Sequence, residues 1–437
     1  MLYLSVLLSA ANALEIPHEY YKLDNGLQVV LIEDHSLPKV VVDTWYGVGS
    51  FDDPAGASGF AHLFEHLMFM GTEQIPEKEF DQRMEASGGW NNASTGDDRT
   101  NYYDVGPSEL IDLLLFMEAD RMTGLDITQE KLDLQREVVR NERRQNYEDA
   151  PYGKIWLEIP EMLYPTEHPY FMEGIGSHED LLAATLDTVS NFYADWYVPN
   201  NATLCVAGDF NSEDVKARIE EWYAPLQASE EISHQQIELP TMPIVMENTI
   251  TDNISNPALL LIWHSPVLYQ EGDAAADILS SVLAGQASAR LTSKLVYEEQ
   301  VIQEISAFQW SRQRGSLFVV YIDAKVDSDL EYIKTVVQDE LRGIASGEKP
   351  VEDEELRGII NNWEMNFLWG LEDSLQRAET IQSYVYHTAD SNYLRKDLER
   401  YQNVTAKSVQ EVASQYFTME KTAVLTVLPE EKMEKEQ

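Results

Sequence analysis

A single cysteine, Cys205, stands in 437 residues, so no intramolecular disulfide can form. Its setting, Ala202-Thr203-Leu204-Cys205-Val206-Ala207, reads as a buried strand and not as the surroundings of a nucleophile. Basic residues are scarce: 31 Lys and Arg stand against 76 Asp and Glu, a net charge of −45. A phosphate backbone calls for a basic patch, so the composition argues against nucleic-acid binding. It suits a soluble protein of a saline habitat, or a field that favours cationic peptides. Beyond a short N-terminal run, no segment is long and apolar enough to span a bilayer. With 44% hydrophobic residues and ordinary Gly and Pro content, the chain is globular, and its length allows two domains with separate cores.

The first residues, Met1 to Ala10, form a short apolar run followed by Ala11-Asn12-Ala13, a small-x-small cleavage pattern. Residues 1–13 are therefore expected to be a signal peptide cut after Ala13, which exports the protein, to the periplasm if the source is bacterial. No basic residue precedes Lys22, so the natural start is expected upstream of Met1. A buried first strand fits less well, because Glu15-Ile16-Pro17 breaks the run.

What the chain does contain is His62-Leu63-Phe64-Glu65-His66, in a stretch of Leu, Phe and Met that closes at Gly71. At i and i+4 on a helix, the two histidines project from one face and suit two ligands of one metal ion. Glu65 borders that face without having to be a ligand. Neutral imidazoles favour zinc and related borderline ions, and an open zinc site takes a third protein ligand from elsewhere. The pattern is the inverted zinc-hydrolase motif His-x-x-Glu-His. Burying two histidines and a glutamate among apolar residues without a purpose would be costly.

Downstream, Lys131 to Gln145 is rich in helix formers and free of Gly and Pro, and its Glu142 lies 76 residues past His66. Together with Arg136-Glu137-Val138-Val139, this resembles the pitrilysin/insulinase family of zinc peptidases. The resemblance implies that Glu142 completes the ligand set with His62 and His66, for one zinc per chain. Where the family often carries a further Glu on that helix face, this chain has Gln135; Gln135 and Glu137 are assigned to the surroundings of the ligands, with Glu137 as the alternative third ligand. Asn92-Ala93-Ser94-Thr95, ahead of Thr100-Asn101-Tyr102-Tyr103, is similar to the family's edge strand, which holds peptide substrates by main-chain pairing. His168-Pro169-Tyr170 and Gly174-Ile175-Gly176 also match; the first reads as a structural loop.

The chain also repeats itself. His62–Gly71 can be laid on Ala276–Gly285, and Ala194–Ala207 on Ser414–Val427. The reading is two homologous α+β domains, each a mostly antiparallel sheet covered by helices on one face. The expected bounds are 14–225 for the zinc-bearing domain, 226–245 for a linker, 246–430 for a metal-free second domain and 431–437 for a charged tail. Helices are predicted over 108–120, 329–345 and 353–369, and strands over 27–32, 259–263 and 317–322. In the repeat, His62, Glu65 and His66 become Ala276, Leu279 and Ser280, so the second half has lost the metal.

These residues predict a zinc-dependent endopeptidase acting on peptides or small unfolded polypeptides, with Glu65 as general base. The family's clamshells hold four such domains, and this chain supplies two, a half-shell similar to a mitochondrial-processing-peptidase subunit. An Arg/Tyr pair that helps hold substrate in the family falls here on Val296 and Gln303, which cannot replace it. The resemblance therefore implies a heterodimer with a zinc-free paralogue supplying that pair, with a homodimer as second choice; Tyr297 and Arg290 are the nearby substitutes. The competing readings are a non-catalytic or partner-dependent subunit of a processing complex, and a zinc hydrolase of non-peptide substrates.

Overall fold

The structure, a computed structural model, describes residues 15–229, 232–235, 237–238, 240 and 242–430. The signal-peptide reading at 1–13 and the tail at 431–437 lie outside the described residues, as do parts of the linker. Two compact units are present. Among the described residues, the first comprises those within 15–140, 174–235 and 366–398; the second comprises those within 141–173, 237–365 and 399–430. Neither is a continuous stretch of sequence.

In the first unit the strands are β1 (Glu19–Lys22), β2 (Gln28–Glu33), β3 (Lys39–Tyr46), β4 (Trp90–Thr95), β5 (Thr100–Pro107) and β6 (Ala202–Gly208). Their order is β1-β2-β6-β3-β5-β4, and only β2 and β6 run parallel. Every residue of β6 is buried, as a central strand covered on both faces should be, and Cys205 sits within it as a free, buried thiol. Helix Ile111–Thr123 packs on β3. Helix Ser374–Thr388, from much later in the chain, packs on β3 and β6. Its Gln382 is fully buried and donates to the carbonyls of Asp43 and Thr203 at 2.9 and 3.0 Å, while Tyr386 meets Trp45 edge-on at 6.3 Å. On the opposite face of β3, Tyr46 packs with Tyr102 and Tyr197.

The second unit holds β7 (Glu247–Asp252), β8 (Ala258–Ser265), β9 (Ile302–Trp310), β10 (Ser316–Ala324) and β11 (Ala423–Pro429). Their order is β7-β11-β8-β10-β9 with only β7 and β11 parallel. This repeats β2-β6-β3-β5-β4 strand for strand, so the internal duplication seen in the sequence is present in the topology. Helices Asp273–Leu283, Leu330–Ser346 and Ala406–Tyr416 bury Leu279, Val337 and Val409 against Leu261, Trp263 and Phe318. Helix Lys154–Leu163 also belongs to this unit, lying on β11. Both units are thus α+β with mostly antiparallel sheets. Among the described residues, no helix is long and apolar enough to cross a membrane.

Candidate metal centre

Helix Phe60–Leu67 carries the motif. Its start is built by backbone demands. Gly59 adopts φ +85°, and a Cβ there would meet Gly176 Cα and the Ile175 carbonyl at 2.8 Å. The Gly174-Ile175-Gly176 loop thus packs against the helix N-terminus, and side chains at Gly59 would be both strained and crowded. Asp53 satisfies the exposed N–H groups, its carboxylate accepting from Gly59 at 2.7 Å and Ala61 at 2.8 Å. Phe60, Ala61, Leu63, Phe64 and Leu67 are buried, with Phe64 stacked on Tyr193 and packed at 4.2 Å on Tyr197. That anchored face leaves His62, Glu65 and His66 on the other side.

The second contribution comes from helix Gln129–Arg143, which buries only Leu132 and Val139. Gln135 and Glu142, seven residues apart, share a face of it. The ligand atoms of His62, His66 and Glu142 lie within 4.8 Å of one another, the group that could hold a metal among the described residues. The imidazole rings are 4.9 Å apart and nearly perpendicular, at 87°. Two imidazoles and a carboxylate suit zinc, whose bonds of about 2.0–2.2 Å need only small side-chain closure from this spacing. Gln135 Oε1 stands 3.3 Å from His66 Nδ1, and its amide nitrogen meets Met70 Sδ at 2.8 Å. A proton on Nδ1 toward that oxygen would leave Nε2 as the atom to face a metal. Asn146 Nδ2 donates to Glu142 Oε1 at 3.4 Å. Glu137 is placed differently: its carboxylate is 53% exposed and pairs with Arg140.

Glu65 is coupled to the sheet edge. Thr95 Oγ1 donates to Glu65 Oε2 at 2.5 Å, and Thr95 ends β4, the edge strand of the first sheet. The bond from Gly96 N to Arg99 O, at 2.9 Å, sets the hairpin phase. Ser94 and Asn92 face β5 for pairing, and the main-chain groups of Ala93 and Thr95 point off the edge. Arg99, which motif reasoning missed, fastens this strand through the Ser94 carbonyl at 2.8 Å and the Ser94 hydroxyl at 2.6 Å. Its guanidinium lies 4.9 Å over Trp45. Asn101, opposite Ser94, donates to Asp43 at 3.2 Å, and burial pushes the Asp43 carboxyl up to about 8.

The second unit lacks such chemistry at the repeated positions. Ala276 and Leu279 are fully buried, and Ser280 bonds the Asp277 carbonyl at 2.7 Å. Val296 packs against the hydrophobic core and Gln303 is exposed. Arg290 is committed to Glu355 at 2.7 Å, Glu340 at 3.0 Å and the Pro350 carbonyl at 2.7 Å; Tyr297 is 57% exposed. His168 is structural: its Nδ1 accepts from Tyr170 N at 3.0 Å, and burial with nearby Arg312 brings its pKa down to about 4.

Residues 28–158 match the family described as Insulinase (Peptidase family M16), and residues 183–362 match its Peptidase M16 inactive domain. Zinc protease PqqE of Helicobacter pylori is 27% identical over 407 residues, covering 92% of this chain and 90% of that protein. A crystal structure of a protease from Helicobacter pylori superposes with TM-score 0.88 at 26% identity, covering 95% of this chain and all of that one. The periplasmic protease PqqL from Escherichia coli has the same fold at TM-score 0.78 and 18% identity, with this chain covering 48% of it.

Proposed function

Because this chain belongs to the M16 (insulinase) peptidase family, we propose that it is a zinc-dependent endopeptidase of peptides or small unfolded polypeptides. The observation that carries the reading is the convergence of His62, His66 and Glu142, with Glu65 between the two histidines on the same helix and tied to an edge strand.

His62, His66 and Glu142 would hold the ion. Zinc bound there supplies Lewis acidity, polarising a scissile carbonyl and acidifying water. The free edge of β4 at Ala93 and Thr95 takes the substrate as an added strand, fixing its main chain beside Glu65. Asn92 and Ser94 pair with β5 and keep that strand in place. Glu65 accepts a proton from the attacking water as the new C–O bond forms. It then delivers the proton to the departing amide nitrogen as the C–N bond breaks. Gln135 orients His66 for its role.

The ligand assignment has a direct test. His62→Ala, His66→Ala and Glu142→Gln should each release zinc from the purified chain, since a three-ligand site has no spare. Metal analysis decides. Full occupancy in Glu142→Gln would move the third ligand elsewhere.

The charge at the scissile carbonyl also needs donors. Val296 has no polar group and the exposed Gln303 offers only a neutral amide where the family carries Arg and Tyr, and Arg290 is already bound to two glutamates. This supports a working heterodimer whose zinc-free paralogue brings the pair, in preference to a homodimer. The apolar run at 1–13 supports export.

A further inference from the structure

Beside Glu142, within the second unit, lies an open groove of about 600 Å³. Its walls are aromatic: Tyr147, Trp156, Phe308 and Trp310, with Glu173 and Asn146 among the polar residues around them. Trp156 and Trp310 stand edge to face, centroids 6.1 Å apart at 78°. Phe308 and Trp310 come from the end of β9, the edge strand of the second sheet, and share one of its faces by the strand's period of two. Tyr147 and Asn146 lie in the turn that follows the ligand helix. Asn146 is the link to the chemistry, because its amide bonds Glu142 Oε1 at 3.4 Å.

We propose that this groove is a specificity subsite that takes one aromatic side chain of the peptide substrate. The inference rests on the peptidase reading and adds to it the class of residue selected. The volume lies within the range of about 300–1,000 Å³ usual for ligand pockets. Rings at right angles offer a third ring both a face and an edge. A basic side chain would gain from Glu173 but lose at Trp310. Trp310 already carries the buried Arg312 guanidinium at 4.9 Å from its ring centroid, and a second cation there would meet like charge. An acidic side chain would meet Glu173, which stands 3.5 Å from the Tyr147 hydroxyl.

Binding separates this proposal from catalysis. The Glu65→Gln chain, with its partner where the active species is a heterodimer, is titrated with labelled nonapeptides in which one Phe is walked through an alanine-serine scaffold. At one position Phe should tighten binding by about tenfold or more over Ala, and that gain should disappear in Trp156→Ala and persist in Trp156→Tyr. No gain at any position overturns the subsite, as does a larger gain from Arg or Lys. A Phe gain that survives in both Trp156→Ala and Phe308→Ala also overturns it. Should Trp156→Ala fold poorly, the Phe-versus-Ala comparison on the intact groove still decides. A Phe gain in a parent enzyme that cleaves no peptide would sink the peptidase reading and support the groove; zinc-dependent cleavage with no Phe gain would sink the groove alone.

Discussion

Glu65→Gln is expected to keep its zinc and lose at least about a hundredfold in kcat, the scale of general-base loss. The substitution is nearly isosteric and leaves His62, His66 and Glu142 untouched, so binding of metal and peptide should change little. Only the proton acceptor is removed. The neighbouring hydroxyl gives a graded version of the same experiment. Thr95 Oγ1 donates to Glu65 Oε2 at 2.5 Å, and a hydrogen bond to a charged group is worth about 1.5–3 kcal/mol. Thr95→Val should therefore lower kcat by roughly ten- to a hundredfold, with Thr95→Ser close to the parent. Steady-state kinetics beside metal analysis reads both. A Glu65→Gln chain with most of its peptidase activity intact would remove Glu65 from the role of base.

The second large effect concerns what the chain lacks. Alone it should bind zinc yet cleave slowly; with a zinc-free paralogue carrying the Arg/Tyr pair, turnover should rise by roughly a hundred- to a thousandfold. That is the rate equivalent of about 2.7–4 kcal/mol for one well-placed oxyanion donor. On the proposed reading the deficit lies at Val296 and Gln303, and the local alternatives are poor. Arg290 is bound by Glu340 and Glu355, and Tyr297 is largely exposed. Mixing the chain with candidate partners and following cleavage of a labelled peptide measures the effect. Equal turnover by the purified chain without any partner would show that donors come from within it.

The parts legible in the sequence are those governed by local periodicity. The strands expected over 27–32, 259–263 and 317–322 appear as Gln28–Glu33, Ala258–Ser265 and Ser316–Ala324. The helices expected over 329–345 and 353–369 appear as Leu330–Ser346 and Asp353–Gly370. The helix expected over 108–120 begins later, at Ile111, because Ser108–Leu110 winds as a tighter turn. The duplication was readable because both copies keep the apolar pattern that their common topology demands. Partner choice at long range was not readable. Nothing local in Ser374–Thr388 says which sheet it covers: its apolar face would serve either, and the choice is expressed in Gln382, a fully buried amide that bonds two carbonyls of the first sheet.

At the candidate site, spacing pointed to His62, Glu65 and His66, and a resemblance pointed to Glu142. The support around them lay beyond motif reading. Asp53 acts as a cap only because the chain turns at Gly59 and Gly176. Arg99 reads as a surface charge in a polar turn until folding brings it back onto Ser94 and Trp45. The resemblance put Glu142 ahead of Glu137 as the carboxylate ligand; helix phase keeps them apart, with Glu137 paired to Arg140 and largely exposed and Glu142 near the histidines.

The most direct test of the central claim is a metal titration of peptide cleavage. The chain is stripped with a zinc chelator, assayed with its partner on a labelled peptide, and refilled with measured zinc. Cleavage should be absent after stripping and return in proportion to zinc up to one ion per chain, with no recovery in Glu142→Gln. Cleavage that persists in the stripped chain, or that returns equally in Glu142→Gln, would contradict a peptidase built on His62, His66 and Glu142.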